Sequence, residues 1–307
     1  RADIVVENYR PDVKERLGIA YEALKAINPR IILASVSGYG QTGPWANNPG
    51  FDQIAQGMGG LMWITGEPGG GPMRAGAAIA DSSAGLYAAV GILVAIAERA
   101  KSGQGQWVHT SLLEAQIAMC DFQAVRYLVD RAVPPQAGND HPYVTPMGVL
   151  PTADGFISIG VGGQGQWRSF CMAIDQADLI DHPDFATMEL RFKHRPQMRE
   201  LLEPIFMARP SAHWLQLLQE FHVPVGPIHK MDEMFDDPQV RHVGIAQKVH
   251  HPARGDIELI GQPVTLSRTP ATIVSAIPEK GGHSSEVLAE FGFSDAEITA
   301  LKATGAV

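Results

Sequence analysis

The sequence predicts an α/β protein of two domains, and three observations carry that prediction. Residues 3–6 and 31–37 are short, almost unbroken apolar runs, the pattern of parallel strands covered on both faces. Between them, Tyr21–Ile27 has helical spacing and ends at Asn28-Pro29, which completes a β-α-β unit. The third observation is length. A chain of 307 residues exceeds what one core usually serves, and a Pro- and Gly-rich stretch at 134–148 offers a place to divide it.

The remaining elements follow in order. The longest helical segment is predicted over 82–99; it is apolar almost all round and holds Gly85, Ala88, Ala89 and Gly91, so it reads as buried and closely packed. Lys101–Gly105 stops it, and a strand resumes at Trp107. A helix over 112–130 ends before Pro134-Pro135. Beyond the linker the pattern predicts a strand at 155–161, helices at 166–174 and 195–221, and a strand over Val223–Ile228. A hairpin is expected over 252–267, turning at Arg254-Gly255-Asp256, then a helix over 284–291. Ser294 and Glu297 have capping-box spacing ahead of a last helix.

Composition narrows the function classes. Acidic residues outnumber basic ones, 33 to 24, which argues against nucleic acid or an anionic membrane as a partner. The two cysteines, Cys120 and Cys171, form neither a disulfide framework nor a CxxC pair, as expected of a reducing, cytoplasmic compartment. No apolar run reads as long enough to span a membrane. The opening residues from Arg1 read as a strand rather than a signal peptide, so the chain is expected to start inside a domain.

Several motifs can be weighed for chemistry. Gly38-Tyr39-Gly40-Gln41-Thr42-Gly43 matches a dinucleotide fingerprint and follows a strand, but it leads into Pro44 and Asn47-Asn48-Pro49-Gly50 rather than a helix. It reads as a loop. The eleven histidines lack two-ligand helical spacing, and there is no GxSxG elbow, so neither a metal site nor a serine triad is expected. Asp81 stands immediately before the predicted long helix, near Gly57–Gly60 and Gly69–Gly71. One reading makes it a helix N-cap; the other makes it a carboxylate nucleophile at a cleft mouth, and one residue can do both. Asn8 and Tyr9 fall at a strand's carboxyl end, where α/β sheets bind ligands. Arg16 reads either as a phosphate partner or as a solvated charge.

Many segments together resemble the class III CoA-transferases, the CaiB/BaiF family. They include Glu7-Asn8-Tyr9-Arg10-Pro11 with Arg16-Leu17-Gly18, Ser37–Pro44, Gly50-Phe51-Asp52, and Asp81 with Ala84-Gly85. Arg99, Gly103–Gln106, Gly226-Pro227, Asp237-Pro238-Gln239, His251-Pro252 and Gly282-His283 continue the match in the same order. The resemblance implies a Rossmann-like large domain (1–133), a linker (134–148), a small α/β domain (149–230), a second linker (231–262) and a C-terminal return to the large domain (263–307). It also implies an interlocked homodimer and a further N-terminal segment. Asp81 would be the acyl acceptor. Asn8, Tyr9, Arg10, Arg16, Asn48, Pro49, Gly50 and Phe51 would contact CoA, and glycines such as Gly59 and Gly60 would supply oxyanion donors. The substrates would be an acyl-CoA donor and a carboxylate acceptor, with no metal or redox cofactor.

Related racemases carry a histidine where this chain has Phe51, which cannot move a proton. Oxalate-using relatives carry a glycine run where this chain has Gly138–Tyr143. The overall pattern is closer to transferases that use succinyl-CoA and dicarboxylates. The alternatives are a racemase-like isomerase and a catalytically incomplete chain.

Overall fold

The computed structural model describes residues 2–307; Arg1, the first residue of the stretch read as a strand, lies outside them. The architecture is mixed α/β. The chain forms two compact units, one ending at Pro227 and the other Ile228–Val307.

The first unit opens with β1 (Ile4–Glu7), α1 (Pro11–Arg16), α2 (Tyr21–Ile27) and β2 (Ile32–Ser37). Next come α3 (Asp52–Met58), α4 (Leu61–Ile64), α5 (Ile79–Ser102), β3 (Trp107–Ser111), α6 (Leu112–Met119) and α7 (Asp121–Asp130). The three strands are parallel in the order β1-β2-β3, with Ile4 opposite Ile32 and Leu33 opposite Trp107. Central β2 is buried from Ile32 to Ser35, as its unbroken apolar run requires. Because β2 and β3 are parallel, α5 must carry the chain back, from the strands' carboxyl ends to their amino ends. Arg99 in its last turn marks the amino end: its guanidinium donates to Asp3 O at 3.1 Å and Arg30 O at 2.9 Å. The first turn of α5 therefore lies at the carboxyl edge.

A second sheet follows, built of β4 (Met147–Pro151), β5 (Phe156–Gly160) and, after α8 (Gln164–Ala173), α9 (Met188–Lys193), α10 (Arg195–Met207) and α11 (Ser211–Glu220), β6 (Val225–Pro227). It is antiparallel, with β5 central. Its core stacks Trp167, Phe170, Phe206 and Trp214, separate from the core under α5. The second unit holds α12 (Met231–Asp236), α13 (Pro238–Val243), the hairpin β7 (Ala246–His251) and β8 (Gly255–Ile260), then α14 (Ser284–Glu290) and α15 (Asp295–Ala303).

Several expectations need correction. The segment expected as a linker, 231–262, is two helices and a hairpin; the Asp237 carboxylate caps α13 through Gln239 N and Val240 N, with Pro238 at its first position. The hairpin lies six residues earlier than expected, because alternation along Ala246–His251 outweighs the glycine signal. Gly255, with φ of 73°, opens β8 instead of centring the turn. The helix expected over 112–130 breaks at Asp121, whose φ is 46°, and that expected over 195–221 breaks at Pro210. Helix α9, capped by Thr187, was not anticipated. The capping box at Ser294 and Glu297 forms as expected.

Helix α5 departs most. It has 24 residues and is, by length and composition, apolar enough to cross a membrane, contrary to the expectation that no run was. Nor is it buried all round. Ala80, Ala84, Ala88 and Ala95 form the packed stripe, whereas Leu86, Val90, Leu93 and Val94 are exposed in the single chain. Small residues three and four apart let the helix lie close on the sheet. At Gly91 an added Cβ would stand 2.6 Å from Val108 Cγ1.

Candidate functional site

Two loops and one helix end meet at the carboxyl edge of the parallel sheet. The first loop leaves β2 at Ser37 and returns at Gly50. Its closure depends on glycine at both ends: an added Cβ on Gly50 would lie 2.6 Å from Gly38 Cα, and one on Gly38 would lie 2.8 Å from Gly50 Cα. No other side chain permits that backbone approach. The fingerprint-like glycines thus close a loop instead of cradling a pyrophosphate. Tyr39 holds the inside of the loop, edge-on to Trp45 and with its hydroxyl 3.4 Å from Pro49 O.

Loop closure delivers Asp52, the first residue of α3, to the start of α5. Asp52 is buried. Its Oδ1 accepts the Ala80 N–H at 2.9 Å; its Oδ2 accepts Gln56 Nε2 at 2.7 Å and faces Arg74 at 3.7 Å. Gln56, one turn along α3 and fully buried, donates to Ala77 O and accepts from Ala75 N. Two side chains of one helix therefore sew residues 75–80 in place and satisfy an orphan amide of α5 from outside.

Asp81 is next in the chain. It is the third residue of α5, not its N-cap; Ala78 occupies that position, and no side-chain cap forms. The helix starts three residues before its expected start at Ser82 because Asp52 supplies the missing cap. The Asp81 carboxylate is exposed in the single chain. Partial burial pushes its pKa up, and the Asp52 carboxylate adds to the rise. The dipole of α5 favours the ionised form, so the side chain remains usable as a carboxylate.

The two proposed oxyanion glycines differ. Gly59 N–H is committed to Ala55 O at 2.7 Å, and an added Cβ there would meet Gln116 Cγ at 2.5 Å, so this glycine serves helix packing. Gly60 adopts φ of 87°, with its N–H at a longer 3.4 Å from Gly57 O.

The residues expected to contact CoA fall into two groups that the fold brings together. Asn8, Tyr9 and Arg10 follow β1, and Arg10 donates to Asn47 O at 3.3 Å, beside Asn48, Pro49, Gly50 and Phe51. Phe51 is 72% exposed. Next to them a groove of about 400 Å³ runs between α1, residues 41–47 and Trp107. Arg16, in the last turn of α1, is exposed and does not line that groove. Sequence reading missed Lys14, which is buried beside Glu7 and Gln41 and lies 5.1 Å from the Trp107 ring centre. It quoted Asp52 only as part of a motif and gave no role to Asp52, Gln56 or Arg74, although the i, i+4 spacing of Asp52 and Gln56 was a usable signal.

The family model described as CoA-transferase family III matches residues 1–284. The chain belongs to that family. This class III CoA-transferase is 37% identical to the succinate–glutarate CoA-transferase of Agrobacterium fabrum, over 94% of its own length and 72% of the relative's. It is 34% identical to human succinyl-CoA:glutarate CoA-transferase, over 99% and 70%. A succinyl-CoA–D-citramalate CoA-transferase of Chloroflexus aurantiacus shares 34% identity, over 98% and 75%. The crystal structure of a CAIB/BAIF family protein from Brucella suis superposes with a TM-score of 0.82 at 33% identity, covering 94% of this transferase and 75% of that chain.

Proposed function

We propose that this transferase moves CoA from succinyl-CoA to a second short dicarboxylic acid, with Asp81 as the covalent relay. The observation that carries the reading is the placement of the Asp81 carboxylate: exposed, in the first turn of α5, at the carboxyl edge of the parallel sheet, beside the groups expected to contact CoA. The dicarboxylate preference rests on the relatives, whose names include glutarate and D-citramalate as acceptors.

The chemistry proceeds in four displacements. Asp81 attacks the thioester carbonyl and expels CoA thiolate, leaving a mixed anhydride. The thiolate attacks the Asp81 carbonyl of that anhydride, which releases free succinate and leaves an aspartyl-CoA thioester. The acceptor carboxylate attacks this thioester, forming a second anhydride and freeing the thiolate again. Attack of the thiolate on the acceptor carbonyl yields the new acyl-CoA and regenerates the Asp81 carboxylate. Each tetrahedral stage needs a donor for its oxyanion, and Gly60 rather than Gly59 fits that role because its amide is the less firmly held. A proton shift α to the carbonyl is a different reaction, and Phe51 offers no base for it. In this reading the enzyme works in the cytoplasm as an interlocked homodimer whose large domain is Rossmann-like.

The test is chemical trapping. Enzyme mixed with succinyl-CoA and quenched with hydroxylamine is expected to carry a hydroxamate at Asp81, located by peptide mass spectrometry. Asp81→Ala is expected to lose transfer entirely, while its fold changes by no more than about 1 kcal/mol, the value of a first-turn charge. Normal turnover in folded Asp81→Ala would exclude the covalent role.

A further inference from the structure

A second cavity in the first unit is not used by this reading. It measures about 270 Å³ and lies where α7 and the 135–143 segment meet the start of α10, with Pro68 on its rim. Its walls are cationic and aromatic. Arg126 sits over the Tyr143 ring at 5.0 Å, Arg195 sits over Phe192 at 4.9 Å, and Tyr143 stacks on Phe192 at 6.3 Å. Such an arrangement is unexpected in a chain of net charge −9.

The two guanidiniums are not equivalent. Arg195 is occupied: its Nε donates to Thr145 Oγ1 at 2.9 Å and one terminal nitrogen donates to His141 O at 2.6 Å, which fixes the loop. The acid in the wall, Asp140, is taken by Arg199 at 3.3 Å. Arg126 has no acidic partner among the described residues, and its guanidinium lies over the Tyr143 ring. A half-buried guanidinium held on an aromatic face, with its fork unused, is suited to bidentate recognition of a carboxylate.

The cavity is also tied to the Asp81 site. Gln136 in its wall donates to Thr65 O and Gly71 O, both at 2.6 Å, and Gly138 N donates to Gly66 O. The 65–71 loop leads through residues 75–80, which Asp52 and Gln56 hold, into the first turn of α5. The volume suits a short acid and is far too small for a CoA thioester.

We infer that this cavity receives the free dicarboxylic acid, with Arg126 gripping the carboxylate that does not react. The inference rests on the transferase reading above and names its acceptor subsite. Arg126 would then set specificity for a second carboxylate over a monocarboxylate of equal length, because an unreacting methyl group leaves the guanidinium unpaired.

The experiment separates this inference from the reading beneath it. Glutarate, inorganic phosphate and CoA are titrated calorimetrically into the wild-type enzyme, Arg126→Gln, Arg126→Lys and Ala137→Phe, the last of which fills the cavity without touching the arginine. Glutarate is expected to bind Arg126→Gln and Ala137→Phe at least ten-fold more weakly than wild type, with Arg126→Lys between. CoA is expected to bind all four alike. In turnover, Arg126→Gln should raise the KM for glutarate at least ten-fold and that for succinyl-CoA with it, because the donor's free carboxylate occupies the same subsite in the mirrored half-reaction, while binding of free CoA stays unchanged. Glutarate binding that is equal in all variants, or absent from wild type up to about 10 mM, overturns the inference. So does phosphate displacing glutarate, or a parallel loss of CoA binding, which would assign the cavity to CoA. Binding is read without turnover, so failure of the Asp81 trapping experiment does not decide it.

Discussion

At the scale of single residues, Asp52 and Asp81 form a pair with opposed duties. Asp52 is buried and spends both oxygens on amide and guanidinium neighbours; Asp81 keeps its carboxylate exposed. Partial desolvation first, and the Asp52 charge second, lift the Asp81 pKa above its ordinary value. A raised pKa means that ionised Asp81 costs the folded state. Its proton-linked stability is present below the ordinary carboxylate pKa and is lost as pH rises through the raised one. Activity runs the other way, since the nucleophile must be ionised, and it should fall as pH drops through that same value. Asp52→Asn removes the charge but keeps an oxygen for the Ala80 amide. It should move the acidic limb of kcat/KM to lower pH, though not fully to the unperturbed range, because burial remains. The stability cost should be about 1–3 kcal/mol, because the new amide nitrogen faces Gln56 Nε2, donor against donor, in a buried place. An unmoved limb in a folded variant would show that Asp52 does not act on Asp81 through its charge.

At the scale of elements, the site depends on how α3 and α5 are joined. The closure of residues 38–50 brings Asp52 to the amide of Ala80, and this closure needs glycine at both ends. Gly50→Ala would place a methyl group 2.6 Å from Gly38 Cα, and backbone cannot yield there as a flexible side chain can. The expected result is a loss of roughly 1–3 kcal/mol in chemical denaturation, the range for overpacking. It should be joined by a drop in kcat larger than any change in the KM for succinyl-CoA, because Asp52, two residues on, is displaced. Wild-type kcat at reduced stability would mean that the closure serves folding alone.

At the scale of the whole molecule, the expected interlocked homodimer gives the exposed apolar residues a role. Leu86, Val90, Leu93 and Val94 on α5, with Leu128 and Val129 on α7, are exposed in the single chain. A surface that apolar is unusual on a protein working as a monomer. If assembly covers it, unfolding and dissociation become one event, and the denaturation midpoint should rise with protein concentration. Light scattering over a wide dilution range should then show no folded monomer. A concentration-independent midpoint with a stable monomer would reject the interlocked dimer.

The α/β class, the parallel β1-β2-β3 strands, most helices and the place of Asp81 at the start of the long helix were legible in the sequence. Strand burial, capping spacing and helical periodicity are local, and each leaves a pattern within a dozen residues. Recurrence of many short motifs in one order carried the family. What lay outside its reach was every feature made by residues distant in the chain. That α5 begins before Asp81 depends on a cap lent by Asp52, 28 residues upstream of Ala80. That Gly38 and Gly50 touch, that α5 packs on its alanine stripe and leaves its leucines and valines outside, and that Arg126 lies over Tyr143 are likewise decided between elements. A hydrogen bond or a steric closure across such separations leaves no period to read, because the intervening chain can vary without changing it. Only the tertiary structure decides which donor meets which acceptor.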